Sequence, residues 1–142
     1  MKNFISKIAL ATLLLSPVSL FAESAKNLMV IVTTDDDLTQ FMSMVLSVES
    51  QAKGAKVGVL LCGKAGDLAI KGSEEVFFKP KNVSPQMLLK KLIKNGTEVG
   101  ICPPYLPNNG KTKADLLEGV QVVSPPDIAE RILDKDTKIL SY

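Results

Sequence analysis

Three apolar runs rich in β-branched residues limit this chain's fold more than any other feature. They are Asn27–Thr33 (NLMVIVT), Lys56–Cys62 (KVGVLLC) and Glu98–Cys102 (EVGIC). A strand that is apolar at successive positions is one buried on both faces, the situation of a parallel sheet covered by helices. Helical patterns separate the runs. Leu38, Phe41, Met42, Val45, Leu46 and Ala52 fall at helical spacing, and Gly54 ends that segment. Ala65–Lys71 reads as a short helix, while Glu74–Val83 is ambiguous between strand and loop. Ser84-Pro85 supplies a helix N-cap and first-turn pair for a helix reaching Asn95 and stopped by Gly96. Ala114–Glu118 is a short helix and Val120–Val123 a fourth strand. Ser124-Pro125-Pro126-Asp127 caps a helix to about Lys135, and Thr137–Leu140 is the last strand. Repeated strand–helix units with short links predict an α/β fold, a three-layer α/β/α arrangement around a mostly parallel sheet of about five strands.

The N-terminus reads as an export address. Lys2 and Lys7 form a positive region, IALATLLL (Ile8–Leu15) is apolar, Ser16-Pro17 breaks it, and Leu20-Phe21-Ala22 offers a small residue for cleavage. The apolar run is too short to span a bilayer comfortably, so the expectation is a signal peptide over 1–22 and one domain over 23–142, with no stable membrane insertion after cleavage. In a Gram-negative source the destination is the periplasm, where disulfides persist. Removing 22 of 142 residues leaves 120, enough for a single core. All 15 acidic residues lie after residue 22 and two of the 17 basic ones before it, so the exported chain carries 15 of each sign. That balance gives no electrostatic pull toward nucleic acid or anionic membrane.

Composition removes whole classes of chemistry. There is no histidine, which excludes the Ser-His-Asp triad, the Cys-His dyad and histidine-ligated zinc. There is no tryptophan, and five Phe with two Tyr are poor material for a base-stacking platform. Two cysteines remain as the strong nucleophiles, each at the end of a strand. In open parallel sheets, sites form beyond the carboxyl ends of the strands. Cys62 also reads plainly as a small hydrophobe closing a strand. After Cys102, Pro103 and Pro104 force the backbone out of the strand immediately beyond the thiol.

The segment Gly96–Val123 resembles the DsrE/DsrF-like sulfur-relay family, which includes TusD-like and YchN-like proteins. The strand Val99-Gly100-Ile101 ending in Cys102, a variable loop, and then ADLLEGVQVV (Ala114–Val123) carry the resemblance. The opening strand with its acidic loop and GVLLCGKAGDLAIKG (Gly58–Gly72) extend it over most of 27–142. The resemblance implies a three-layer α/β/α fold, a homo-oligomer such as a trimer or hexamer, and sulfur held as a persulfide on one strand-end cysteine. By position that residue is Cys102. The implied partners are a sulfur donor or acceptor protein, or small sulfur species, and no cofactor is implied.

A persulfide carrier needs a thiolate, room for a terminal sulfur and shelter from over-oxidation. Lys64, Lys111 and Lys113 lie in loops on the expected side, where a cation lowers a thiol's pKa or simply faces solvent. Tyr105 and Leu106 either gate a small pocket or pack in the ordinary way. Asp35-Asp36-Asp37 suits a hard cation, but Asp37 with Gln40 also fits a capping box, and no metal site is predicted there. Two further functions stay open. One is a non-catalytic binding module in which Cys62 and Cys102 form a structural disulfide, which requires Cα atoms within about 7 Å. The other is a soft-metal site, for copper(I), built on both thiolates.

Overall fold

A computed structural model describes residues 27–142, and the leader read at 1–22 lies outside the described residues. Five strands form one sheet: β1 (Asn27–Val32), β2 (Lys56–Leu61), β3 (Glu98–Ile101), β4 (Val120–Val122) and β5 (Thr137–Ser141). Their spatial order is β4-β3-β2-β1-β5, and every neighbouring pair is parallel. Four α-helices flank them: α1 (Asp37–Ala52), α2 (Pro85–Lys94), the single turn α3 (Tyr105–Asn108) and α4 (Pro125–Leu133). The α/β class and the five parallel strands expected from the apolar runs are therefore present. Two expected short helices are instead 3₁₀ segments, Gly63–Ala69 and Lys113–Asp115.

The period of two along the strands divides the sheet into two faces. Val30, Val32, Val57, Val59, Leu61, Val99 and Ile101 join Met44 of α1 and Leu89 and Leu92 of α2 in the main core. The opposite face is crossed by α4, which leaves β4 at one edge and enters β5 at the other. Gly58 leaves room there: Arg131 of α4 lies where a Cβ on Gly58 would project, and its guanidinium pairs with Glu98 at 2.8 Å. None of the nine residues of α4 is fully buried. Among the described residues no helix is long and apolar enough to cross a membrane.

The first helix departs from the expected pattern in two ways. Its N-cap is Asp36, not Asp37: the Asp36 carboxylate accepts from Thr39 N–H at 2.7 Å, and the Thr39 hydroxyl first, then that N–H, hold its carboxyl below the ordinary range. Its buried face is not the stripe picked out by hydrophobic spacing. Gln40, Ser43, Met44 and Ser47 face the core, whereas Leu38, Met42 and Leu46 are exposed. The buried polar groups are affordable because each finds a backbone acceptor. Ser43 donates to the Gln40 carbonyl and Ser47 to the Ser43 carbonyl, both at 2.7 Å, and Gln40 Nε2 donates to the Thr34 carbonyl at 2.8 Å.

Candidate functional site: a strand-end cystine

Register decides what the two cysteines can do. In the β2–β3 ladder Leu61 stands opposite Ile101, so the next residues, Cys62 and Cys102, stand opposite each other. The backbone ladder continues through them: Cys62 N–H donates to the Val32 carbonyl at 2.9 Å and Cys102 N–H to the Leu61 carbonyl at 3.0 Å. Neighbouring strands lie about 4.8 Å apart, and the two Cα atoms are 5.1 Å apart, inside the range that a disulfide requires. The cysteines form that disulfide, and both are half-buried at the carboxyl edge of the sheet. The two candidate residues are thus brought into one group.

The loops that leave the two cysteines are tied to each other. The first is the 3₁₀ segment Gly63–Ala69, and the second turns through Pro103 and Pro104 into α3. The Tyr105 ring lies flat over Gly66, in the space a side chain there would fill, and its hydroxyl donates to the Asp67 carboxylate. Burial first, and then that carboxylate, push the Tyr105 phenol above its ordinary value, so it remains a neutral donor. Tyr105 and Leu106 are both buried, and Tyr105 is anchored beneath the site. Further along, Lys71 N–H donates to the Asp115 carbonyl and Leu117 N–H to the Ala69 carbonyl, each at 2.8 Å.

Beside the cystine is an open cavity of about 320 Å³, lined by Gly63, Lys64, Cys102, Pro104, Tyr105 and the side chains of Asn108 and Asn109. Both amides are turned to backbone, Asn108 Nδ2 donating to the Pro104 carbonyl and Asn109 Nδ2 to the Tyr105 carbonyl. Lys64 is the one charged side chain in that lining. Lys111 and Lys113 are exposed and do not line it; Lys111 instead helps hold the Asp115 carboxyl low, after the hydrogen bonds from Thr112. Asp35, Asp36 and Asp37 are exposed, and Asp36 is used as the helix cap. Among the described residues no three His, Cys, Asp or Glu side chains converge to hold a metal ion. Sequence reading had passed over Gly66, Asp67, Asn108 and Asn109. The only cue was a Gly-Asp pair four residues beyond a strand-end cysteine, which acquires meaning once Tyr105 is known to lie over it.

No protein-family model matches the chain, and no curated protein matches it. Solved structures do. The ychN protein from E. coli superposes with a TM-score of 0.66 at 18% identity, covering 82% of this chain and 98% of that one. MTH1491 from Methanobacterium thermoautotrophicum, a protein of unknown function, gives 0.62 at 19% identity, over 82% and 98%. BT1422 from Bacteroides thetaiotaomicron, a conserved protein of unknown function, gives 0.63 at 21%, over 82% and 95%. The chain therefore has the YchN-like fold over nearly the full length of these proteins.

Proposed function

We propose that this is an exported, thiol-dependent sulfur carrier or sulfurtransferase-like protein of the periplasm, in which Cys62 and Cys102 form one working centre. In the reduced pair, the Cys102 thiolate attacks a terminal sulfane sulfur of a polysulfide or of a partner's persulfide. The donor's S–S bond breaks and Cys102 is left as a persulfide. Cys62 then attacks the inner sulfur of that persulfide. The terminal sulfur leaves as HS⁻ with its bonding pair, the Cys62 proton is released, and the cystine forms. A dithiol reductant returns two electrons and restores the thiols. The observation that carries this reading is the register-matched cystine at the sheet's carboxyl edge, open to a cavity whose charged group is the Lys64 ammonium. A nearby cation favours the thiolate, which is the reactive form.

The test is intact mass of the purified protein after reduction, exposure to polysulfide and alkylation. Addition of one sulfur that accumulates in Cys62→Ser, where the resolving thiol is gone, and is missing from Cys102→Ser supports the carrier. Absence of a sulfur adduct in Cys62→Ser removes it. The cystine itself favours a second reading, a structural cross-link between adjacent strands. Under that reading the disulfide resists dithiol reductants until the domain is unfolded.

A further inference from the structure

Helix α1 buries polar residues beside Met44 and exposes apolar ones. Three of its residues that face the core, Gln40, Ser43 and Ser47, are no more than 5% exposed, while Leu38, Met42 and Leu46 are 57%, 43% and 42% exposed. The three exposed residues recur every four positions and so form one stripe. It begins at the sheet's carboxyl edge, because α1 follows β1 directly. Alongside it, Phe78 stacks on Phe41 with ring centroids 4.7 Å apart, and Phe77, its neighbour in the chain, is 47% exposed. Between α1, α2 and the segment Phe78–Val83 runs a groove of about 430 Å³ with a mainly apolar floor. The charged residues along it are Lys79, Lys81 and Lys91 against the single acid Glu49.

The stripe meets the groove at Met42, and among the described residues neither is covered by the domain's own packing, the mark of a surface kept apolar for contact. We infer that this groove docks an amphipathic helix of a partner protein, apolar on its inner face and acidic along its flanks. The concave shape suits the ridge of a helix, which lays its anchors into a groove at helical spacing. The excess of lysine selects acidic flanks. A two-fold contact with a second copy of this chain would set the same three lysines against themselves, and a head-to-tail contact, as in a trimer, is separated by the self-association arm of the test below. A flat anionic membrane would leave the groove unfilled. The docking surface stands independently of the thiol chemistry, so either can fail alone.

The probes are two synthetic helical peptides with the same leucine face, one flanked by glutamates and the other by lysines, titrated against the exported protein by fluorescence anisotropy. The glutamate peptide is expected to bind at least about tenfold more tightly than the lysine peptide. The variant Met42→Ser, altered at an exposed position that lines the groove and checked by circular dichroism, loses the binding. Lys79→Glu/Lys91→Glu reverses the preference. Failure of both peptides to bind, equal affinity for both, or binding indifferent to these variants overturns the inference. So does concentration-dependent self-association abolished by Met42→Ser, which assigns the groove to a second copy. Uptake onto phosphatidylglycerol vesicles lost in that same variant overturns it in favour of a membrane surface.

Discussion

Opening the Cys62–Cys102 bond enlarges the unfolded ensemble without removing a strand contact, and its cost can be worked from the chain. The cysteines are 40 residues apart. Closing a loop of that length in the unfolded state is worth about 4 kcal/mol on the chain-entropy account. In the folded state little else changes, because the ladder bonds to the Val32 and Leu61 carbonyls are made by the backbone and survive reduction. Half-buried serines in place of the cysteines keep access to water. The expected loss for Cys62→Ser/Cys102→Ser is therefore ~4 kcal/mol, a fall in urea midpoint of about 2 M for a slope near 2 kcal/mol/M. The assay is urea unfolding followed by far-UV circular dichroism, for the oxidised protein, the reduced protein and the double serine variant. The reduced protein and the serine variant should agree. A midpoint shift below about 0.5 M with an unchanged slope would refute the unfolded-state argument. A domain of this size is stable by about 5–15 kcal/mol, so the dithiol form stays folded, as a sulfur carrier requires.

Two other substitutions test the surroundings of the site. Tyr105→Phe keeps the ring over Gly66 and removes the hydroxyl bond to Asp67; since that carboxylate is exposed, the expected loss is only about 1 kcal/mol, read by urea midpoint, and no loss at all would show that the bond does not hold the loops. The Glu75 carboxyl lies below its ordinary range, chiefly through the Ser84 hydroxyl and also through Lys90 at 3.2 Å. Its folded pKa is depressed, so it stabilises the fold above its unfolded value of 4.5 and loses that contribution as pH falls through the folded value. Thermal melts below pH 4.5 should therefore fall less steeply for Glu75→Gln than for the parent, and identical slopes would refute the assignment.

Most strand and helix boundaries were legible because apolar runs and caps act locally. Ser84 caps α2 by accepting from Met87 N–H, and Gly96, with a positive φ, follows the end of the helix. Strand order and register were not legible, since they depend on which runs become neighbours, and the pairing of Cys62 with Cys102 stayed open for that reason alone. The turn α3 escaped notice because Pro103, Pro104 and Pro107 hide a four-residue helix from any periodicity. In α1 the hydrophobic spacing was real but faced outward. Spacing shows that apolar residues share a side, not which side meets the sheet, and buried serines that bond their own helix carry no spacing signal.

The placement of the disulfide bears on its purpose. A cross-link's chain-entropy gain is set in the unfolded state, whatever non-covalent ties surround it in the fold. Here the cross-link lies where they are dense. The strand ladder runs through both cysteines, Tyr105 pins one loop to the other, and the loop after Cys62 is bonded to Asp115 and Leu117 through backbone. Ile70 and Leu116 add a further bridge between the same segments. The backbone ladder therefore holds Cys62 and Cys102 opposite each other when the bond is open. Two thiols fixed in register at a sheet edge form and break their bond with little movement of the backbone. That is what the proposed cycle between dithiol, persulfide and cystine requires.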